Sequence, residues 1–224
     1  HVFILSPSGG ILQGDRYRMD VELRNNAISH ITTQGATRIY KMESNYATHM
    51  VTLNLKDNSY LEFIPEQIIP YKNSRFYQKT NLQIDDSSTV VYSETIVPGR
   101  IAMGEMFDFD LCYLKTEGKI NDRVQFRDSS LLSPKMQKIQ SLAMFDDKTI
   151  LTSVYILTKK HVTKVNDMIN ELFSHTQNIS GGSSILPNDS GISIRILGNS
   201  SEDQKTTIYE ILKIIRKEIL PEYL

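Results

Sequence analysis

Leu53-Asn54-Leu55-Lys56-Asp57-Asn58-Ser59-Tyr60-Leu61-Glu62-Phe63 carries the pattern on which the fold turns. Leu53 and Leu55 alternate with polar residues, Lys56 to Ser59 supplies turn chemistry, and Leu61 and Phe63 resume the alternation. Successive side chains of a strand point to opposite faces, and Asn, Asp and Ser accept the backbone geometry of tight turns. Period-2 apolarity on either side of such a cluster therefore reads as two half-buried strands joined by a turn. The pattern recurs from Met19 to Phe126. Upstream, Met19, Val21 and Leu23 alternate, Asn25-Asn26 turns and Ile28 resumes. Downstream, Leu82 and Ile84 alternate, Asp85-Asp86-Ser87-Ser88 turns and Val91 resumes, and Leu111, Tyr113 and Thr116-Glu117-Gly118 read as a fourth copy. Leu23, Leu55, Ile84 and Leu114, each just before a turn, recur about every 30 positions, a spacing expected of stacked β units. The fold read from this pattern is mainly β over residues 1–130, stacked as a β-sandwich or β-solenoid.

The pattern changes near residue 150. Thr149 to Leu157 reads as a buried strand, and Val162, Val165, Ile169, Leu172 and Phe173 share one helical face. Gly181-Gly182 is expected to reverse the chain, and Ile192, Ile194 and Ile196 alternate as a strand. Ser200-Ser201 then caps a helix whose apolar stripe is Ile208, Ile211, Leu212, Ile215 and Ile219, with Pro221 ending it. Residues 131–224 thus read as an α+β part with two helices, packed on the body as one domain. Ser129 to Lys138, with Pro134, is either a boundary or a long loop.

Composition removes several classes of function. The 224 residues hold 25 Lys+Arg against 26 Asp+Glu, a balance with no field to draw in nucleic acid or anionic lipid. A single Cys, Cys112, excludes an internal disulfide, a thiolate zinc cluster and a CxxC redox site. No apolar run is long enough to span a bilayer. The reading is a cytoplasmic protein without nucleic-acid or membrane partners. The chain opens on His1-Val2-Phe3-Ile4-Leu5 rather than Met, so upstream residues, and with them the first strands, are expected to be missing.

No local motif is a catalytic signature. Gly9-Gly10…Gly14-Asp15 lacks the Lys-Ser/Thr of a phosphate loop and leads into a strand rather than the helix of a dinucleotide site. It reads as a tight glycine turn, or as backbone approaching something closely. Gly35 with Arg38 and Lys41 could bind an anion or simply decorate the surface. The five histidines show no metal-ligand spacing, and Cys112 reads as a small core residue. Asp108 and Asp110 fall on the same side of an expected strand, as solvated edge charge or as the acid pair of a carbohydrate-active enzyme flanked by Phe107 and Phe109.

Four segments in order resemble one family. Gly9-Gly10…Gly14-Asp15, Thr32-Thr33-Gln34-Gly35-Ala36-Thr37-Arg38-Ile39-Tyr40, Ile64-Pro65-Glu66-Gln67-Ile68, and Glu94…Gly99-Arg100-Ile101-Ala102-Met103-Gly104-Glu105 are similar to motifs of the urease accessory protein family UreD, also called UreH. The family often reads Pro-Gln-Glu where this chain has Pro65-Glu66-Gln67. The resemblance implies a mostly β fold and a non-enzymatic chaperone of urease maturation. It implies partners UreF, UreG and apo-urease, with nickel in transit and no tightly bound cofactor. It also puts Glu94, Glu105 and Glu66 forward for a nickel path, with Arg100 pairing Glu105 or Glu94, and Gly9, Gly10, Gly14, Asp15, Gly35 and Gly104 as motif positions. Glu94 and Glu105, on either side of Gly99-Arg100, are expected to face an interior, water-filled passage. Carboxylate oxygens suit such a role because they hold Ni²⁺ less tightly than a closed Cys/His cage does. A β-rich adaptor unrelated to nickel is the other reading.

Overall fold

The structure, a computed structural model, describes residues 1–6 and 8–220. The chain winds back and forth between two sheets. After an edge strand β1 (Val2–Ile4), each winding places one long strand in a first sheet and shorter ones in a second. β2 (Arg16–Leu23) is followed by β3 (Ile28–Thr33) and β4 (Thr37–Ile39). β5 (Ala47–Leu55) is followed by β6 (Tyr60–Phe63) and β7 (Ile68–Pro70), and β8 (Arg75–Ile84) by the single strand β9 (Thr89–Ile96). β10 (Leu111–Ile120) and β11 (Arg123–Leu132) complete the first sheet, in the order β11-β10-β8-β5-β2. β12 (Ile150–Leu157), helix α1 (Val162–His175), β13 (Ile179–Ile185), β14 (Gly191–Gly198) and helix α2 (Ser201–Ile219) follow. The second sheet runs β1-β3-β6-β9-β12-β14-β13, with β4 and β7 paired beside it.

Parallel pairing of β2, β5, β8 and β10 is the stacked architecture read from the sequence. Leu23 stands opposite Leu55, and Leu55 opposite Ile84. The fourth copy differs. Ile84 is matched by Ile120, and Leu114 pairs with Gln78. Thr116-Glu117-Gly118 is strand, not turn, because Phe126 packs its ring over Gly118 at a register shift. The turn comes at Asn121-Asp122, both with positive φ. The segment beginning at Ser129 is still β11 up to Leu132.

The second sheet is covered on its outer face by the helices. Ile208, Ile211, Leu212, Ile215 and Ile219 of α2 pack with Val162, Val165 and Ile169 of α1 onto Ile192, Ile194 and Ile196. Ser200 caps α2, its Oγ accepting from the Asp203 N–H at 3.2 Å, and Glu202 and Asp203 complement the positive helix end. Pro221, expected to end this helix, lies outside the described residues. Gly181-Gly182 is a correction: both lie inside β13. A Cβ on Gly181 would come within 2.3 Å of the Phe173 ring, so the glycine lets α1 lie close to the sheet. No described helix is long and apolar enough to cross a membrane.

Candidate functional site

Between the two sheets the core is split. One apolar cluster holds Leu55, Leu61, Leu82, Val90 and Leu157, and another holds Ala47, Phe76, Ile96, Phe109 and Cys112. At the level separating them, strand after strand turns a polar residue inward. β5 gives His49, β8 gives Gln78 and Thr80, β9 gives Glu94, β12 gives Ser153 and β14 gives Arg195. Register places Glu94 opposite Ser153, and Ser153 opposite Arg195. Burying such a row is unfavourable unless it is hydrogen-bonded.

Most of it is. His49 Nδ1 lies 3.1 Å from Gln78 Oε1, Gln78 Nε2 donates to Tyr92 Oη at 3.0 Å, and Tyr92 Oη donates to Glu94 Oε2 at 3.0 Å. Gln78 presents its carbonyl to His49, so Nδ1 is the protonated nitrogen of that ring. On the other side Tyr155 Oη donates to Asp128 Oδ2 at 3.0 Å, and Arg195 pairs with Asp128. Glu94 is 4% exposed and hydrogen-bonded to no cation. Burial pushes its carboxyl up to about 7, against the pull of the Tyr92 hydrogen bond and the Arg195 charge. A cavity of about 30 Å³ opens beside it, lined by Glu94, Gln78, His49, Met19, Thr33 and Glu66. That is room for a water or two.

Of the three carboxylates put forward, the structure brings Glu66 and Glu94 to one cavity. Glu105 stands elsewhere. It lies in the β9–β10 connection, where Arg100 pairs with it and the Lys72 N–H donates to it at 3.2 Å. Arg100 also lies over the Tyr71 ring, 4.1 Å from its centre. The Arg100 hydrogen bond, opposed by partial burial, holds the Glu105 carboxyl below its ordinary range. Gly104 ends the short 3-10 turn of Ile101–Met103 between them.

The remaining motif positions build turns. Gly10 has φ +156° and passes so close to Arg38 and Tyr40 that a Cβ would meet the Arg38 carbonyl oxygen at 2.5 Å. Asp15 Oδ2 accepts from the Leu12 N–H at 2.8 Å, closing the loop that contains Gly14. Gly35 has nothing within 4 Å of a would-be Cβ. Asp108 and Asp110 do not sit on a strand. Asp110 is committed to Arg75 and Lys135, and Phe109 is fully buried, so the aromatic flank required by the carbohydrate reading is absent there. Cys112 is a buried core residue whose thiol is pushed up by burial. Among the described residues no three His, Cys, Asp or Glu side chains converge as metal ligands.

His49, Gln78, Ser153 and Arg195 were not singled out from the sequence. The signal was present, since each is a polar residue at an inward position of an otherwise apolar alternation.

These features define a class: a β-solenoid-like scaffold, backed by two helices, whose interior is crossed by a hydrogen-bonded polar belt. The family profile described as UreD urease accessory protein matches residues 1–223, and the chain belongs to that family. It is 37% identical over 221 residues to the urease accessory protein UreD of Cenarchaeum symbiosum (strain A), covering 98% of this chain and 78% of that protein. To urease accessory protein UreD 2 of Brucella canis it is 37% identical over 229 residues, 99% of this chain and 76% of the relative. To the UreD of Photorhabdus laumondii subsp. laumondii it is 33% identical, covering 98% and 70%.

Proposed function

We propose that this chain is a non-catalytic accessory protein of urease maturation, working in a complex with UreF, UreG and apo-urease through which nickel reaches the urease active site. Glu94 carries the reading. A carboxylate buried beside a cavity without a bonded cation is electrostatically unfinished, and a passing divalent ion satisfies it by replacing its proton. Oxygen donors bind Ni²⁺ weakly enough to release it, as a conduit requires. The hydrogen-bonded chain from His49 to Glu94 holds that carboxylate in one orientation. Nickel is cargo in this reading, not a resident cofactor.

The test is Glu94→Gln, co-produced with urease and the other accessory proteins. Gln keeps the shape and accepts from Tyr92 while removing the charge. The complex is expected to assemble and urease to remain largely inactive. Full activation by the variant would overturn the conduit and leave a scaffold.

A further inference from the structure

Three of the four segments similar to family motifs meet on the surface, in contacts the belt does not use. Tyr40 Oη donates to the Gly9 carbonyl at 3.4 Å, and the Tyr40 ring lies 5.1 Å from that of Tyr71. Arg100 rests over Tyr71, and its Nε donates to Glu105 Oε2 at 2.8 Å. Glu105 also accepts from the Lys72 N–H, which ties the base of the β9–β10 connection to the β7–β8 connection. Above that base the chain turns tightly. The Met103 N–H donates to the Arg100 carbonyl at 2.8 Å, and the Gly104 N–H donates to the Ile101 carbonyl at 2.9 Å. Phe107 closes the turn with φ +55°, a conformation that costs a bulky side chain energy. It is clamped there, its N–H donating to the Pro98 carbonyl at 2.7 Å and its ring edge-on to Phe145. The result is a braced knuckle with an apolar tip. Ile101 is 53% exposed, Met103 70% and Met106 44%. Folding gains nothing from showing three large apolar side chains on one short turn.

We propose that this knuckle is a docking anchor, whose Ile101 and Met103 side chains enter an apolar cleft, rimmed by carboxylates, on a protein partner. The inference rests on the reading of the chain as one member of a maturation complex, and is independent of any role for Glu94. Charge and shape carry it. Arg38, beside Tyr40, and Lys72, beside Tyr71, are exposed and make no ion pair among the described residues. Acidic groups at the rim of a cleft would answer both. The brace keeps the tip in one shape, so little ordering entropy is lost when it is buried. Unbranched, flexible methionine fills an irregular pocket well. A lipid surface fits less well. Two loose cations contribute only about 1 kcal/mol each at an anionic membrane, and the tip carries no aromatic ring to seat among the headgroups.

The experiment co-produces the tagged whole chain with UreF, UreG and apo-urease, and quantifies each protein it retains as salt is raised. Met103→Asp and, separately, Ile101→Asp are expected to lower retention of one partner about tenfold or more. Their melting temperature should stay at the wild-type value, because both side chains are exposed. Lys72→Gln keeps the backbone N–H that holds Glu105 and removes one cation. It should weaken retention at low salt and flatten its decline as salt is added. Val124→Asp, at an exposed apolar residue by the far end of β10, should retain every partner as wild type does. Wild-type retention by both tip variants, or an equal loss in Val124→Asp, overturns the anchor. So does a loss that comes with a lowered melting temperature in both tip variants. Binding of the isolated chain to phosphatidylserine-containing vesicles, abolished by Met103→Asp, would overturn it in favour of a membrane contact. Failure of the maturation reading looks different: the wild-type chain itself would then retain none of the three proteins, and the anchor would fall with it.

Discussion

Glu94 is the residue whose ordinary chemistry the fold changes most usefully. Its carboxyl titrates near 4.5 in an unfolded chain and is raised to about 7 in the folded one, chiefly by burial. The folded state therefore binds the proton more tightly, and stability falls as pH rises. No cost is present below about pH 4.5, and the full cost, about 3 kcal/mol, is reached above pH 7. Glu94→Gln removes that dependence. In urea denaturation it should exceed wild type by about 2–3 kcal/mol at pH 8 and approach it towards pH 5; parallel profiles would contradict the assignment. On the conduit reading the variant is thus expected to be more stable and to activate urease less, the trade-off expected where a charge serves function. Glu105 is its opposite. Its pair with Arg100 is partly open to solvent and screened, so Glu105→Gln should cost under about 1 kcal/mol and leave urease activation intact. Loss of activation without loss of stability would return Glu105 to the cation path.

At the scale of elements, α2 is held by more than its apolar stripe. Glu62 on β6 is 1% exposed and receives Arg216 Nε at 2.7 Å and Nη2 at 2.5 Å, with Tyr60 Oη at 2.8 Å and His30 Nδ1 at 2.6 Å. Burial pushes the Glu62 carboxyl up, but these hydrogen bonds outweigh it and bring it down to about 2. The depressed value contributes stability that is complete above about pH 4.5 and is lost as pH falls through about 2. Arg216→Met leaves the buried carboxylate without its cation and should cost about 3–5 kcal/mol at neutral pH. Because the unpaired carboxyl favours its proton, the loss should shrink on acidification, a trend that thermal melts between pH 4 and 7 would reveal or refute. None of this was legible from Glu62, which reads as the polar half of a strand alternation; its partner is more than a hundred residues away. Legibility followed locality. The α2 cap and stripe are set by neighbours in sequence, and the registers of Leu23, Leu55 and Ile84 follow a local strand–turn pattern repeated about every 30 positions, so both were readable. Gly118 and Gly181 were misread as turns because what they accommodate, the rings of Phe126 and Phe173, comes from other elements. The belt escaped for the same reason, since each strand contributes a residue or two and only stacking makes them a row.

At the scale of the whole molecule, the second sheet joins the two ends of the chain. β1 and β3 come from its start, β12 and β14 from its last third, and β9 couples them by pairing with β6 on one side and β12 on the other. The helices attach to the outer face of that same sheet, and Tyr92 and Tyr155 stack on its inner face, 6.1 Å between ring centres. Hydrogen-bonded continuity across β9 and β12 predicts that the α+β part does not melt apart from the stacked β units. Ile211, fully buried between α2 and the sheet, tests this. Ile211→Asp sets a charge in that interface and should cost several kcal/mol. The chain has no Trp, so tyrosine fluorescence reports the sandwich while the helical circular-dichroism band reports α1 and α2. If the sheet transmits the defect, both signals in Ile211→Asp shift to the same lower midpoint, as one transition. A helical signal lost first, with tyrosine fluorescence keeping its wild-type midpoint, would divide the molecule into two units that unfold separately.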